Sequence, residues 1–316
     1  MKRIPRTATQ LFFDRDIAPV AEVEPGEQVV VETADSLCGL VKSEKDVFNH
    51  IDEVFERIGG ACPVTGPIYV RGATPGMCVA MTIQEMVPAP VTGKGWTAVI
   101  PGWGALVHDQ GYTLQPPVRP VTTICEVSDG EVVVPLDGRE VTIVARPFLG
   151  TAGVAPARER RLSLSQSREY LGDVDIPELG KGATLILPVH IEGALLSIGD
   201  AHAVQGDAEI TGVAVEVEAD VTLTFRPLER NEAEFVRLPI LETEDWIGCI
   251  AGFQGVSLAD CVRAAYVDLV RRLQRYHGFS ENGAYQLLGQ VGNVRIGNMI
   301  DPFYSALVAV DRRYLR

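Results

Sequence analysis

The stretch "TTICEVSDGEVVVPLDGREVTIVARP", residues 122–147, contains two Asp-Gly pairs that separate three runs rich in β-branched residues. Asp-Gly is a dipeptide that two-residue hairpin turns favour, because both turn positions take positive φ. The stretch therefore predicts three strands joined by tight turns. A related pattern of strand, Pro-Gly turn and strand recurs at residues 21–35 and 66–86. Short strands at such regular spacing predict a mainly β fold, either a β-sandwich or a related barrel.

Helical periodicity is confined to a few segments. Residues 43–58 place apolar side chains at helical spacing. Residues 257–278 run from an N-cap serine, Ser257, to a terminal Gly278, and a second short helix begins after Ser280. We therefore expect a β-sandwich core over residues 1–230 and a smaller α+β region over residues 231–316. Because no Pro/Ser/Gly-rich linker separates them, the second part is expected to pack on the first, and the two can equally form a single domain.

The charge balance excludes two classes of partner. The chain has 28 basic and 42 acidic side chains, a formal net charge of −14. Such a surface repels nucleic acid and anionic membranes, so we expect neither as a partner. The sequence contains no apolar run of the roughly 20 residues that a transmembrane helix needs, and the segment after "MKRIPR" is too short for a signal-peptide core. A soluble, cytoplasmic protein is expected.

The stretch "GDAHAVQGDAEITG", residues 199–212, concentrates candidate catalytic groups around one histidine. His202 has four polar neighbours in sequence, namely Asp200, Gln205, Asp207 and Glu209. A turn at Gly206 can bring the residues before and after it to one point. Imidazole and carboxylate together form the ligand set of catalytic zinc sites. The alternative is a solvated loop in which the histidine forms a salt bridge.

A long strand is predicted over residues 209–227, and it begins with a carboxylate. On one face, Glu209 heads an otherwise apolar row that continues through Val213, Val215 and Val217. An ionised side chain in that position is unfavourable unless it has a partner. Burial there is expected to raise the pKa of Glu209, which suits a general base.

Other candidate residues are weaker when taken alone. Asp173 and Asp175 precede a buried strand and are typical of a turn, and Asp35 ends a strand where an acid commonly caps a turn. His108 is followed directly by Asp109, but the two are weak candidates for a shared site, because the side chains of adjacent residues seldom point to the same place. The six cysteines form no CxxC pair, so neither a disulfide framework nor a thiolate zinc site is indicated. Most are expected to be small core residues.

Several blocks of the chain, taken in order, resemble the acetamidase/formamidase family. They are "VEPGEQVVVETADS" (23–36), "ACPVTGPIYVRGATPGMCVAMTI" (61–83), "RPFLGTAGVAPA" (146–157) and "GKGATLILPVHIEGALLSIGDAHAVQGDAEITGVAVEV" (180–217). The resemblance covers nearly the whole chain. It implies a jelly-roll-like β-sandwich that hydrolyses a simple carboxamide to carboxylate and ammonia. It also implies a bound divalent metal, zinc or else calcium, and a homo-oligomer, which we expect to be a dimer.

The resemblance carries specific residues. His202, Asp207 and Glu209 match the family's "HA..GDGE" block, Asp175 matches the last residue of its "GGNMD" block, and Asp35 matches the acid after its "VET" strand. This chain departs from the family where it has "YLGDVD" (170–175) in place of "HGGNMD", and again at residue 208. Tyr170 replaces a histidine, Asp173 replaces an asparagine, and Ala208 replaces a glycine. These changes are expected to retune substrate choice; the alternative is that they remove the activity.

Together these observations give a hypothesis for the site. We expect a metal to be held by His202, Asp175, Asp35 and Asp200. Glu209 is expected to act as the catalytic base, with Asp207 and Gln205 as further catalytic residues. Backbone amides at residues 199–203, or the side chain of Gln205, are the candidate donors to the oxyanion. Trp103, with Trp96 before it, and Tyr170 are expected to line the substrate pocket; for the two tryptophans, packing is the alternative.

Three other functions stay open at this point. One is ring opening of a small cyclic amide, which the family also includes. Another is hydrolysis by a cysteine nucleophile, Cys62, which precedes Pro63, although the family blocks usually lack this thiol. The last is a non-catalytic sandwich that binds a small ligand or partner chain, because a fold of this type does not itself imply catalysis.

Overall fold

The computed structural model describes residues 1–106, 119–229, 237–300 and 302–316. His108 and Asp109 lie outside the described residues. Within these ranges the helices are α1 (Asp52–Ile58), α2 (Leu258–His277) and α3 (Glu281–Val291), with a 3-10 turn at Arg312–Tyr314. The strands, in chain order, are β1 (Lys2–Ile4), β2 (Thr9–Gln10), β3 (Phe12–Phe13), β4 (Ala21–Val23), β5 (Val29–Thr33), β6 (Val64–Val70), β7 (Cys78–Pro88), β8 (Lys94–Val99), β9 (Val121–Ser128), β10 (Glu131–Leu136), β11 (Arg139–Val144), β12 (Phe148–Gly153), β13 (Arg161–Leu162), β14 (Gln166–Ser167), β15 (Leu171–Asp173), β16 (Thr184–Pro188), β17 (Leu196–Val204), β18 (Val215–Val217), β19 (Ala219–Leu228), β20 (Ile240–Glu242), β21 (Trp246–Gln254), β22 (Asn293–Ile300) and β23 (Phe303–Asp311).

The strands form two large sheets. The first has the order β1-β5-β19-β7-β16-β20-β21-β23-β22. The second has the order β11-β10-β9-β8-β18-β17-β12-β15-β14, and β6 joins it by pairing with β17, β2 and β4. One hydrophobic core draws residues from both sheets, such as Val31 and Met81 from the first and Leu149 and Ile198 from the second. The two sheets therefore pack face to face, which confirms a mainly β, sandwich-type fold.

The two hairpin turns of residues 122–147 form as their sequence predicts. Asp129 and Gly130 have φ of 50° and 78°, and Asp137 and Gly138 have 50° and 77°. Positive φ at both central positions is the mark of a type I′ turn, whose twist matches that of the flanking strands. The turns join β9 to β10 and β10 to β11 in antiparallel register, with Leu136 opposite Arg139.

The C-terminal helices cover the first sheet on its outer side. In α2, Ser257 caps the N-terminus by accepting from the Asp260 N–H, and Gly278 ends the helix at φ 71°. Leu269 and Leu273 of α2 pack with Ile247 and Val308 from the sheet in a second apolar cluster. The two predicted C-terminal helices are therefore confirmed. Strands β20–β23 extend the same sheet that holds β1 and β5, and a division at residues 230/231 stays a prediction.

Two predicted elements are shorter than expected. The helix predicted for residues 43–58 forms only at Asp52–Ile58. Residues 43–47 form turns instead, because the N–H groups of Asp46 and Val47 donate to the carbonyls of Ser43 and Lys45.

The strand predicted from residue 209 begins only at Val215. Glu209 has φ 44°, and its carbonyl accepts from the Gly212 N–H at 2.7 Å, so residues 209–212 form a turn. The strand then divides between the two sheets, as β18 in the second and β19 in the first. Among the helices of the described ranges, none has the length and hydrophobicity to cross a bilayer.

Candidate active site

Buried acidic side chains surround His202. We call this group the acidic cluster; it consists of Asp173, Asp175, Asp200, Glu209 and Glu216 together with His202. Each member is at most 7% exposed. Strand pairing explains part of the convergence, because His202 of β17 lies directly opposite Glu216 of β18. Side chains in such a cross-strand pair are neighbours on one face of the sheet.

Gln205 holds the His202 ring in one tautomer. The Nε2 of Gln205 donates to the backbone carbonyls of Asp175 (3.0 Å) and Gly297 (3.1 Å), so its Oε1 must face the other way. That Oε1 lies 3.0 Å from Nδ1 of His202, which therefore carries a proton. The other ring nitrogen, Nε2, lies 3.5 Å from Asp200 Oδ1 and 3.3 Å from Glu216 Oε1. In a neutral ring this nitrogen has the lone pair that a metal accepts.

The side chains of Asp175 and Asp200 pack against β12 at a glycine, Gly150. Asn298 donates from its side-chain amide to Asp175 Oδ2 at 2.8 Å. A Cβ added to Gly150 of β12 would overlap Asp200 Oδ2 and would lie 2.5 Å from Asp175 Oδ1. The two carboxylates can therefore approach this strand only because residue 150 has no side chain.

Asp173 is tied to the same place by a threonine. Thr151 of β12 lies opposite Asp173 of β15 and donates from Oγ1 to Asp173 Oδ1 at 2.5 Å. The same hydroxyl lies 3.4 Å from Asp200 Oδ2. Thr151 thus links the carboxylate of β15 to that of β17.

Several residues of the site have left-handed backbone. Asp175 and Asp200 have φ of 49° and 56°, which aspartate tolerates, whereas Glu209 has φ of 44° in a region that glutamate seldom occupies. Ala208 also has φ 76°, so the turn keeps its left-handed form although the family's glycine is absent. Such conformations persist where surrounding contacts hold them, and they concentrate at functional sites.

Burial and mutual repulsion raise the pKa values of four carboxyl groups. Burial raises the pKa of Asp173 and Asp175 well above their usual range, and the neighbouring acids Asp200 and Asp173, respectively, add to the effect. Burial also raises the pKa of Glu209 strongly, with a contribution from Asp175, and raises the pKa of Glu216.

Asp200 and His202 behave as an ion pair. Burial opposes ionisation of Asp200, but attraction to His202 outweighs it and lowers the pKa of Asp200. Burial likewise disfavours the imidazolium, but Glu216 and Asp200 outweigh it and raise the pKa of His202 well above its usual range. Among the described residues, no lysine or arginine forms an ion pair with the cluster.

The cluster has oxygen atoms without partners. Asp175 Oδ1, Asp200 Oδ1 and Glu216 Oε2 are buried and accept no hydrogen bond. Leaving a buried acceptor unpaired costs roughly 1–3 kcal/mol, and more when it is charged. Three sets of potential ligand atoms lie within 4.8 Å of one another: Asp175, Asp200 and His202; His202, Glu209 and Glu216; and Cys62, Asp173 and Asp200. The donor set therefore fits a divalent cation.

A small pocket adjoins the cluster. The carboxylates of Asp175, Asp200 and Glu209 line part of it. The other walls are largely apolar and include Leu37, Phe55, Trp96, Ile100, Trp103 and Leu164. Its free volume is about 30 Å³, more than the roughly 10–15 Å³ that one water molecule needs. The pocket can therefore hold a molecule of only a few heavy atoms.

Four of the predicted site residues come together: His202, Asp175, Asp200 and Glu209. Gln205 contacts His202, but both of its N–H groups are used on carbonyls, so it is not a free donor to an oxyanion. Trp103 lines the pocket, and its indole N–H donates to the Gly212 carbonyl at 2.5 Å.

Three predicted residues lie elsewhere. The side chain of Asp207 is 53% exposed and pairs with Arg295, because the turn at 206–209 directs it to the surface. Tyr170 is buried against Phe13, where its hydroxyl pairs with Ser165, and it does not line the pocket. Asp35 caps a turn by accepting from the N–H groups of Leu37 and Gly39 and belongs to none of the three ligand sets found in the described chain.

Sequence reasoning missed some members of the site. Glu216 was hidden because it falls on the polar face of the strand predicted from residue 209. Asp173 is typical of a turn in sequence but is buried in the cluster. Cys62 lies close to it, and burial raises the pKa of this thiol well above its usual range, with Asp173 and Asp200 adding to the effect. A protonated thiol is a poor nucleophile, which argues against the cysteine mechanism.

The chain is similar in sequence to proteins of a known family. A family model described as the Acetamidase/Formamidase family matches residues 6–167 and 164–308. The acetamidase of Mycolicibacterium smegmatis is 27% identical over 244 residues, which are 62% of this chain and 59% of that protein. A relative from Schizosaccharomyces pombe is 25% identical over 262 residues, 68% of this chain and 63% of its own. The chain thus spans about three fifths of these relatives.

A solved structure extends the similarity over the full length. The crystal structure of the acetamidase from Yersinia enterocolitica superposes with a TM-score of 0.88 at 32% sequence identity. The superposition covers 100% of this chain and 93% of the other.

Proposed function

Because this chain belongs to the acetamidase/formamidase family, we propose that it hydrolyses the C–N bond of a small linear carboxamide. The products are a carboxylate and ammonia. One observation carries the proposal: a pocket of a few atoms' volume joins apolar walls to buried, unpaired carboxylates around a histidine. The apolar walls can pack against a short acyl group, and the polar groups of the acidic cluster can contact the amide that reacts.

We assign a divalent cation to Asp175, Asp200 and His202. Two of the oxygens without partners, Asp175 Oδ1 and Asp200 Oδ1, belong to this set. The imidazole favours zinc over calcium, because calcium prefers oxygen ligands alone. Such a cation supplies a Lewis acid and lowers the pKa of water toward about 7. Gln205 supports this role by leaving His202 Nε2 unprotonated in the neutral ring.

Glu209 is the base in this proposal. Glu209 lines the pocket. It takes a proton from water as the oxygen forms a bond to the amide carbon. It then gives that proton to the nitrogen as the C–N bond breaks and ammonia leaves. The raised pKa of Glu209 suits both transfers, because the protonated form persists closer to neutral pH.

The negative charge that develops on the amide oxygen needs a donor. The backbone amides of β17 are largely taken by its partner strands, and Gln205 is fully used. Trp96 lines the pocket, and its buried indole N–H has no acceptor among the described residues. We assign the oxyanion to this N–H.

The test is ammonia release from a panel of amides. We expect release from formamide and acetamide, and much less from benzamide, whose ring exceeds the pocket. A γ-lactam included in the panel is opened without free ammonia, so its product is followed separately. Opening of the γ-lactam, with no ammonia released from any linear amide, would favour the cyclic-amide alternative. No reaction with any member of the panel would favour a binding protein.

A pair of variants tests the base. Glu209→Gln should lower kcat by about 10²–10⁴-fold, the usual contribution of a positioned base, with metal content unchanged. Asp207→Asn is the control, because Asp207 is a neighbouring acid on the surface. It should leave kcat within about twofold, as surface substitutions usually do. Full turnover by Glu209→Gln with metal retained would reject Glu209 as the base.

A further inference from the structure

Two side chains at the acidic cluster have no role in the proposed reaction. Cys62 and Asp173 are both buried, and their ligand atoms lie within 4.8 Å of each other and of Asp200. Thr151 donates to Asp173 and lies within 3.4 Å of Asp200, so it orients both carboxylates. Asp173 is also one of the positions at which this chain departs from the family it resembles.

Cys62 and Asp173 also line the small pocket that contains Asp175, Asp200 and Glu209. Both side chains therefore border the cation site assigned above.

Asp200 links Cys62 and Asp173 to the cation site assigned above. Asp200 is 2% exposed, and its Oδ1 has no hydrogen-bond partner. Asp200 is also shared by two of the three ligand sets, the one with Asp175 and His202 and the one with Cys62 and Asp173. A carboxylate with two oxygens can bridge two ions, as in enzymes whose paired metals lie about 3.5–4 Å apart.

We propose that Cys62, Asp173 and Asp200 form a second divalent-cation site, bridged through Asp200 to the site of Asp175, Asp200 and His202. The inference rests on the proposed function, because the first site is part of it. A thiolate and two carboxylates select zinc over magnesium or calcium, since the harder ions avoid sulfur. Binding forms an S–Zn bond, and the thiol proton passes to the buffer.

The decisive test is zinc analysis of the intact protein. The chain is loaded with zinc under reducing, oxygen-free conditions, freed of excess ion, and measured for zinc content and by X-ray absorption at the zinc edge. We expect two zinc ions per chain and a sulfur neighbour at about 2.3 Å. Because the sulfur signal is read on the unmodified protein, the test does not depend on whether a variant folds. Absence of sulfur from the zinc shell would overturn the inference.

Variants locate the sulfur. Cys62→Ser should lose one zinc and the whole sulfur signal, and Asp173→Asn should lower the same zinc. Cys125→Ser is the matched control, because Cys125 is also fully buried but belongs to none of the three ligand sets in the described chain. It should keep both ions and the sulfur signal. Persistence of the sulfur signal in Cys62→Ser would contradict the assignment.

The outcomes separate this inference from the proposed function. One zinc with only nitrogen and oxygen neighbours, in a protein that hydrolyses amides, would reject the second site and leave the function standing. Two zinc ions with sulfur, in a protein that releases no ammonia from any amide, would reject the function and leave the second site standing.

Discussion

The indole N–H of Trp96 is a buried donor without an acceptor at the wall of the reaction pocket. Trp96→Phe removes this donor and keeps an aromatic ring. We expect kcat to fall by about 10²–10³-fold, the usual loss for one oxyanion donor. KM should change little, because the donor acts mainly on charge that develops in the transition state. Steady-state kinetics with acetamide measure both values.

Trp103→Phe is the matched control. Trp103 lines the same pocket, but its N–H already donates to the Gly212 carbonyl. Its replacement leaves a carbonyl unpaired, which costs about 1–3 kcal/mol of folding free energy, and should lower Tm more than kcat. Equal losses of kcat in the two variants would mean that the pocket needs indole bulk and that Trp96 has no special donor role.

At the residue scale, the sequence indicates which titratable side chains meet in the cluster better than it indicates the residues that orient them. His202, Asp200 and Glu209 are close in sequence, and the family motif points to Asp175. Gln205 orients the His202 ring because its amide group donates to the carbonyls of residues 175 and 297. Those carbonyls are distant in sequence and lie near Gln205 only in the folded chain. Asp207 matches the motif equally well, yet it pairs with Arg295 at the surface because of the turn that precedes Glu209.

At the element scale, β12 fixes the spacing of the site through Gly150. A Cβ at this position would collide with Asp200 and Asp175. Gly150→Ala should therefore separate the two carboxylates, lower zinc content, and reduce the free energy of unfolding by about 1–3 kcal/mol, as overpacking does. Urea unfolding and zinc analysis of the same preparation give both numbers.

The control for this variant is Gly206→Ala. A Cβ at Gly206 would meet no heavy atom within 4 Å, although the residue follows Gln205 directly. Zinc content and unfolding midpoint should stay close to those of the unmodified protein. If Gly150→Ala binds zinc as well as Gly206→Ala does, the positions of the Asp175 and Asp200 carboxylates do not depend on the absence of a side chain at residue 150.

Element prediction succeeds where the signal is local. Asp-Gly turns and the Ser257 and Ser280 caps need only neighbouring residues, and all of them form. The segments at 43–51 and 209–214 do not form the predicted helix and strand, because backbone turn hydrogen bonds replace the expected pattern there. The placement of β17 between β12 and β18, which assembles the site, involves pairings between distant segments that periodicity does not contain.

At the scale of the whole molecule, the cluster links stability to pH. The raised pKa values of Asp173, Asp175, Glu209 and Glu216 mean that these groups hold protons in the folded state after the unfolded chain has released them. Their stabilising effect is complete below the unfolded pKa, near 4, and is lost as pH rises through the folded values. The raised pKa of His202 acts in the same direction above about pH 6.5, and the lowered pKa of Asp200 acts only at acid pH.

The chelated protein should therefore lose thermal stability as pH rises from about 5 to 8. Zinc should restore it, because the cation binds the ionised carboxylates of the folded state and stabilises by mass action. The rise in Tm on adding zinc should grow with pH, and calorimetry at several pH values measures it. A Tm of the chelated protein that increases over this range would contradict the picture of uncompensated buried acids.

The sequence predicts the mainly β sandwich, the C-terminal helices and the family of the molecule. How the parts are divided into domains, the dimer and the cytoplasmic location stay predictions, because they depend on surfaces and surroundings that one chain does not contain. The assembly of the cluster from β15, β17, β18 and their turns is a property of the folded whole. Charge alone indicates an acidic protein but not that five of its acids are buried around one histidine.

The central claim is that the buried cluster around His202 holds a cation that the chain uses to hydrolyse small amides. The most direct measurement is ammonia release from acetamide by chelated protein as zinc is added back in counted equivalents. The account predicts no release without zinc, recovery within two equivalents per chain, and no recovery in His202→Gln when the same number of zinc equivalents is added. Undiminished release by protein shown to contain no divalent metal would contradict it.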